Sequence, residues 1–191
     1  IWHAPTQSIF VSDLGGWGAA RGRIWQIRKS QAGYSAHILY DQLKTPHGLL
    51  QHPSDGHIYF STQTEIFKFD PNQPGSDPER VMFGLPGEIK TRPGARGRPR
   101  SENGVQVQGD PITKLNEHPL KHFIFDSTGE HIFINVGAPD DGCYNFAKPD
   151  QKCGIADYMA AIWKLPLREY TTPIADPQTG RPYDMSIIYA T

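Results

Sequence analysis

The chain has 191 residues, with 19 Lys and Arg against 20 Asp and Glu, 19 Gly and 17 Pro. A formal net charge of −1 gives no general attraction for nucleic acid or an anionic membrane, and no apolar run approaches the ~20 residues of a spanning helix. With 37% hydrophobic residues and so many turn formers, the chain is expected to be all-β, with enough length for one proper core or two small ones.

In chain order, Ile9-Phe10-Val11-Ser12 is a first expected strand, and Asp13 before Gly15-Gly16 shapes a turn. Arg23-Ile24-Trp25-Gln26-Ile27 follows, with a further β-rich segment from Ala36 to Tyr40. Pro46-His47-Gly48-Leu49-Leu50 then leads through a turn at Pro53 to Gly56 into Ile58-Tyr59-Phe60-Ser61. Next come Glu65-Ile66-Phe67-Lys68-Phe69 and Arg80 to Phe83. The segments opened by Arg23 and Glu65 lie 42 residues apart, close to the period of about 40–50 residues of a propeller blade.

A long loop is expected from Leu85 to Glu117, carrying Lys90, Arg92, Arg96, Arg98 and Arg100. It lacks interleaved aromatics and is flanked by Glu88 and Glu102, so it suits a solvated or partner-docking loop better than a nucleic-acid contact. From Phe123 to Val136 an apolar run, the turn Asp126-Ser127-Thr128-Gly129 and alternation through Ile132, Ile134 and Val136 predict a hairpin. Ala161-Ile162-Trp163-Lys164-Leu165 and Met185 to Tyr189 complete a third unit. The recurring Trp25, Phe67 and Trp163 are expected to pack in the core. No helical stripe of useful length appears; only Ile155 to Ile162 would admit a helical turn.

These units predict an all-β fold of the β-propeller type, with blades near 1–43, 44–85 and 118–191 and an insert at 86–117. Propellers close with 4–8 blades, because an open fan leaves apolar faces and edges exposed. Three blades predict a partial propeller, either part of a longer protein or one completed by a partner chain.

His118 and Lys121 stand just before the third unit's first strand, where a loop holds them at a sheet edge. His118 is a candidate general base or a loop histidine capping the hairpin. Lys121 offers positive charge to an anionic cofactor or is a solvated loop lysine. His47, in its Pro-His-Gly turn, faces the same cavity or serves the turn alone. Cys143 and Cys153 flank a polar segment expected to lie outside any strand. Paired, they would stabilise by roughly 2–3 kcal/mol on the chain-entropy model; free thiols are the alternative, and zinc would need further ligands. The disulfide is preferred, with a periplasmic or secreted location. Asp140, Asp141, Asn145 and Asp150 are hard oxygen donors without EF-hand spacing, so they serve turns as readily as calcium.

His118-Pro119-Leu120-Lys121, Phe125-Asp126 with Gly129, and Ile134-Asn135-Val136-Gly137 together resemble the glucose/sorbosone dehydrogenases, quinoprotein sugar dehydrogenases on a six-bladed propeller. Asp13 to Trp17, Pro46-His47-Gly48-Leu49 and Ala161-Ile162-Trp163 also look like that family's blades. The resemblance implies oxidation of a sugar hydroxyl by pyrroloquinoline quinone (PQQ), with calcium holding the cofactor and an external electron acceptor. His118 matches the histidine that takes the hydroxyl proton, a step that needs a base titrating near neutrality. Lys121 stands where some members carry arginine, and Ala138 where an Asp is expected. The competing expectations are a non-catalytic propeller binding a carbohydrate or protein partner, and a metal-dependent lactone hydrolase.

Overall fold

A computed structural model describes residues 1–16, 20–85, 121–137, 161–172 and 174, together with the backbone of several short strands between and after them. Sheet I comprises β1 (Trp2–His3), β2 (Ser8–Asp13), β3 (Gly22–Ser30) and β4 (Gly33–Leu43). Sheet II comprises β5 (Leu49–Gln51), β6 (Ile58–Ser61), β7 (Glu65–Phe69) and β8 (Glu79–Phe83). Four short strands follow, β9 (Glu88–Ile89), β10 (Arg100–Glu102), β11 (Val105–Val107) and β12 (Lys114–Leu115). They pair as two antiparallel ribbons, β9 with β12 and β10 with β11. Sheet III joins β13 (Phe123–Phe125), β14 (His131–Val136), β17 (Ala161–Pro166) and β18 (Ser186–Tyr189). Between β14 and β17 lies a further ribbon of β15 (Tyr144–Asn145) and β16 (Lys148–Lys152).

The chain is therefore all-β in its described residues, with three four-stranded antiparallel sheets in simple meander order. The turns have the chemistry their hairpins need. Gly33, Gly56 and Gly129 hold positive φ at the β3–β4, β5–β6 and β13–β14 connections, a region open to glycine at little cost. The Asp13 carboxylate accepts the Gly15 N–H at 3.1 Å, shaping the turn expected there.

Two expectations need correction. The stretch between Leu85 and Glu117 carries two ribbons rather than one loop, and the segment between the cysteines carries β15 and β16 rather than none. Their strands are only two to five residues long, too short for apolar alternation to mark them in the sequence.

The sheets stack face to face. Phe10, Ile24 and Tyr40 of sheet I bury against Ile58, Phe60 and Phe69 of sheet II. On the opposite face of sheet II, Tyr59, Ile66, Val81 and Met82 meet Phe123, Ile132, Ile134, Trp163 and Leu165 of sheet III. All four residues of β6 are buried because sheet II is covered on both sides. The chain after β17 returns along β8, with Tyr170 N–H donating to Val81 C=O at 2.9 Å and Ile174 N–H to Phe83 C=O at 2.8 Å. That pairing occupies part of an otherwise open edge.

Candidate functional site

The entrances to β5 and β13 are built alike. Ser61 N–H donates to Gly48 C=O at 2.9 Å, and Asn135 N–H donates to His122 C=O at 3.0 Å. In return, Gly48 N–H donates to Ser61 Oγ at 2.7 Å, and His122 N–H donates to Asn135 Oδ1. Gly48 of sheet II thus corresponds to His122 of sheet III, and His47 to Lys121.

A second device ties neighbouring sheets. Ser12 Oγ donates to His47 C=O at 2.9 Å, and Ser61 Oγ donates to Lys121 C=O. Ser61 therefore binds both entrances at once, fixing the distance between the segments that carry His47 and His122. Gly48 lies at their closest approach. A Cβ there would sit 2.7 Å from the Phe123 ring and 2.8 Å from Lys121 C=O, so glycine is required by space.

The two imidazoles meet edge to face, with centroids 5.8 Å apart and an interplanar angle of 73°. His47 is half-buried, and its Nδ1 is buried with no hydrogen-bond partner among the described residues. Burial, followed by repulsion from His122, holds its pKa below the usual histidine value. A neutral imidazole with an uncommitted ring nitrogen can accept a proton or a hydroxyl hydrogen bond. Thr45, two residues upstream, is buried with φ 47° and an Oγ1 lacking a partner among the described residues. A β-branched residue with positive φ costs on the order of 1–3 kcal/mol, and such strain concentrates at functional sites.

Lys121 departs from the picture of a solvated loop lysine. It is fully buried, and desolvation pushes its ammonium down to about 7. That burial withdraws it from direct contact with a soluble ligand, leaving His47 and His122 as the reachable groups. The sequence marked His47 and Lys121 but passed over His122, Ser61 and Asn135. The echo between Pro46-His47-Gly48-Leu49 and Lys121-His122-Phe123, aligned on the first strand residue, is the signal that finds them.

His52 is structural. Its Nε2 lies 2.9 Å from Gly129 C=O, and its Nδ1 accepts the Asp55 N–H at 3.1 Å, pinning sheet II to the β13–β14 turn. At that turn His131 Nδ1 pairs with Asp126 at 2.8 Å. Desolvation acts to raise the Asp126 pKa, but hydrogen bonds from His131, Thr128 and Gly129 outweigh it and bring the carboxyl down to about 2. His118, Cys143, Cys153, the basic residues from Lys90 to Arg98, and the side chains of Arg100, Asp140, Asp141, Asn145 and Asp150 lie outside the described residues.

Among the described residues, no group of three or more His, Cys, Asp and Glu side chains converges to hold a metal ion, and no helix is long and apolar enough to cross a membrane. Comparison with family models, curated proteins and solved structures finds no match to the chain.

Proposed function

We propose that the three sheets are blades of a β-propeller, and that the chain belongs to a quinoprotein sugar dehydrogenase with His118 as general base. The meander order and the contact between the short first strands β5 and β13 support a fan whose inner edges converge. The observation that carries the catalytic reading is the histidine pair. His47 and His122 stand side by side at two inner-strand entrances, and His118 precedes His122 by one short stretch of chain.

PQQ, if bound, would supply the hydride acceptor for oxidation at the sugar carbon. His118 takes the proton of the reacting hydroxyl, and His47 and His122 orient that hydroxyl or an anionic group beside it. The described residues do not by themselves fit calcium, whose ligands in this reading come from outside them.

Protein supplied with PQQ and calcium should reduce an artificial electron acceptor when given an aldose. His118→Ala should lower kcat by about 10²–10⁴-fold while cofactor binding, read by equilibrium titration, stays intact. No PQQ binding, and no turnover across a broad sugar panel, would sink the proposal.

A second reading, a propeller that binds a carbohydrate or protein partner without catalysis, is favoured by the full burial of Lys121 and by Ala138 in place of an Asp. It predicts saturable sugar or protein binding to which His118→Ala is indifferent.

A further inference from the structure

The rings of His47 and His122 differ from the other described histidines in having no oxygen partner among the described residues. His3 faces Thr6, His52 faces Gly129, His57 faces Asp55 and His131 faces Asp126. Even the exposed His37 lies 3.3 Å from Ser35 Oγ. His47 and His122 have each other instead, with ring centroids 5.8 Å apart.

That separation fits one shared metal ion. An imidazole nitrogen binds a divalent transition metal at about 2.0–2.1 Å, which sets the ion about 3 Å from the ring centre and two sharing rings about 5–6 Å apart. The interplanar angle of 73° turns one ring's edge toward the other's face. His122 is exposed, so its side chain can turn a nitrogen toward the ion while the backbone stays in place. The backbone is fixed on both sides. His47 N–H donates to Ser61 C=O at 3.1 Å, Ser12 Oγ donates to His47 C=O, and the Asn135 side chain accepts the His122 N–H. Ser61 Oγ also donates to Lys121 C=O, which ties the two anchor points together. Ligands held on a rigid backbone lose less freedom on binding.

Neutral imidazole is the form that binds metal, and burial already favours it in His47. Among the described residues no third His, Cys, Asp or Glu joins the pair. Two imidazoles without a carboxylate suit ions that prefer nitrogen, and they suit calcium and magnesium poorly. We propose that His47 and His122 form a two-imidazole site for a divalent transition-metal ion of the Cu²⁺, Zn²⁺ and Ni²⁺ class, with the ion's remaining positions open to water. The site stands on the geometry of the pair and goes beyond the redox reading. An ion held there occupies the ring nitrogens which that reading gives to the sugar hydroxyl.

The test is a titration of the whole, chelator-treated chain with Cu²⁺, followed by calorimetry and by electron paramagnetic resonance. One tight equivalent is expected, with a spectrum that reports two imidazole nitrogens on the copper. Zn²⁺ should compete for it, and excess Ca²⁺ should not. His47→Gln and His122→Gln should each weaken binding about tenfold or more, as the loss of even an outer partner of a metal ligand does. Each should also reduce the signature to one nitrogen, in a protein shown by circular dichroism to be folded. His37→Gln should change neither. One or three nitrogens in the parent, an affinity indifferent to either substitution in the pair, a loss as large in His37→Gln, or displacement by Ca²⁺ would overturn the proposal. Binding is read without sugar or PQQ. Its failure leaves the redox reading standing, and a copper-binding protein without dehydrogenase activity counts against the redox reading alone.

Discussion

Lys121 occupies in sheet III the place that His47 occupies in sheet II, yet the two side chains meet different surroundings. The lysine is fully buried, and desolvation lowers its pKa from 10.5 to about 7. Between those values the unfolded chain holds a proton that the folded chain has shed, so stability rises with pH across that window. Lys121→Met keeps the bulk and removes the amine. Its thermal midpoint should lack that rise, so that the parent gains on the variant between pH 7 and pH 10. A parent whose profile is flat over that range, measured by scanning calorimetry, would show that the amine is not desolvated. The sequence marked the residue and missed its burial, because His118-Pro119-Leu120-Lys121-His122 reads locally as a polar loop. Its backbone carbonyl is held by Ser61 of sheet II, a contact that no local pattern announces.

The hairpins were the most legible elements, since alternating apolar residues around glycine turns report directly on a strand's two faces. β6 and β7 match the expected segments residue for residue, and the Phe123 to Val136 hairpin recurs as β13 and β14. The ribbons were hidden because Arg100–Glu102 and Lys148–Lys152 show no apolar alternation. Also hidden was the clamp in which Ser61 and Asn135 each hold the N–H at the entrance to a sheet's first strand, since hydroxyl and amide partners leave no periodic trace. Gly48 tests that clamp. Adding one methyl places carbon 2.7 Å from the Phe123 ring and 2.8 Å from a backbone oxygen, and neither is the free end of a flexible side chain. Gly48→Ala should cost about 1–3 kcal/mol, seen as a lower urea midpoint at unchanged slope. It should also disturb the His47–His122 approach, visible as shifts of both imidazole resonances. A variant as stable as the parent would mean the two entrances lie further apart.

The 42-residue recurrence points to repeated units, but a period says nothing about which faces neighbours cover. Phe60 and Val11 separate the two kinds of information. They hold the same place in β6 and β2, each opposite an aromatic residue, Phe67 and Trp25. Phe60 is fully buried and stacks on Phe67 at 5.2 Å and Tyr40 at 5.6 Å, whereas Val11 is 37% exposed. Phe60→Ala removes a side chain packed between two sheets and should cost about 3–5 kcal/mol. Val11→Ala should stay within about 0.5 kcal/mol. Val11→Ala as costly as Phe60→Ala would show that this face of sheet I is covered. The distinction between a central and a terminal unit would then be lost, since equivalent positions in a stack differ only in what lies across from them.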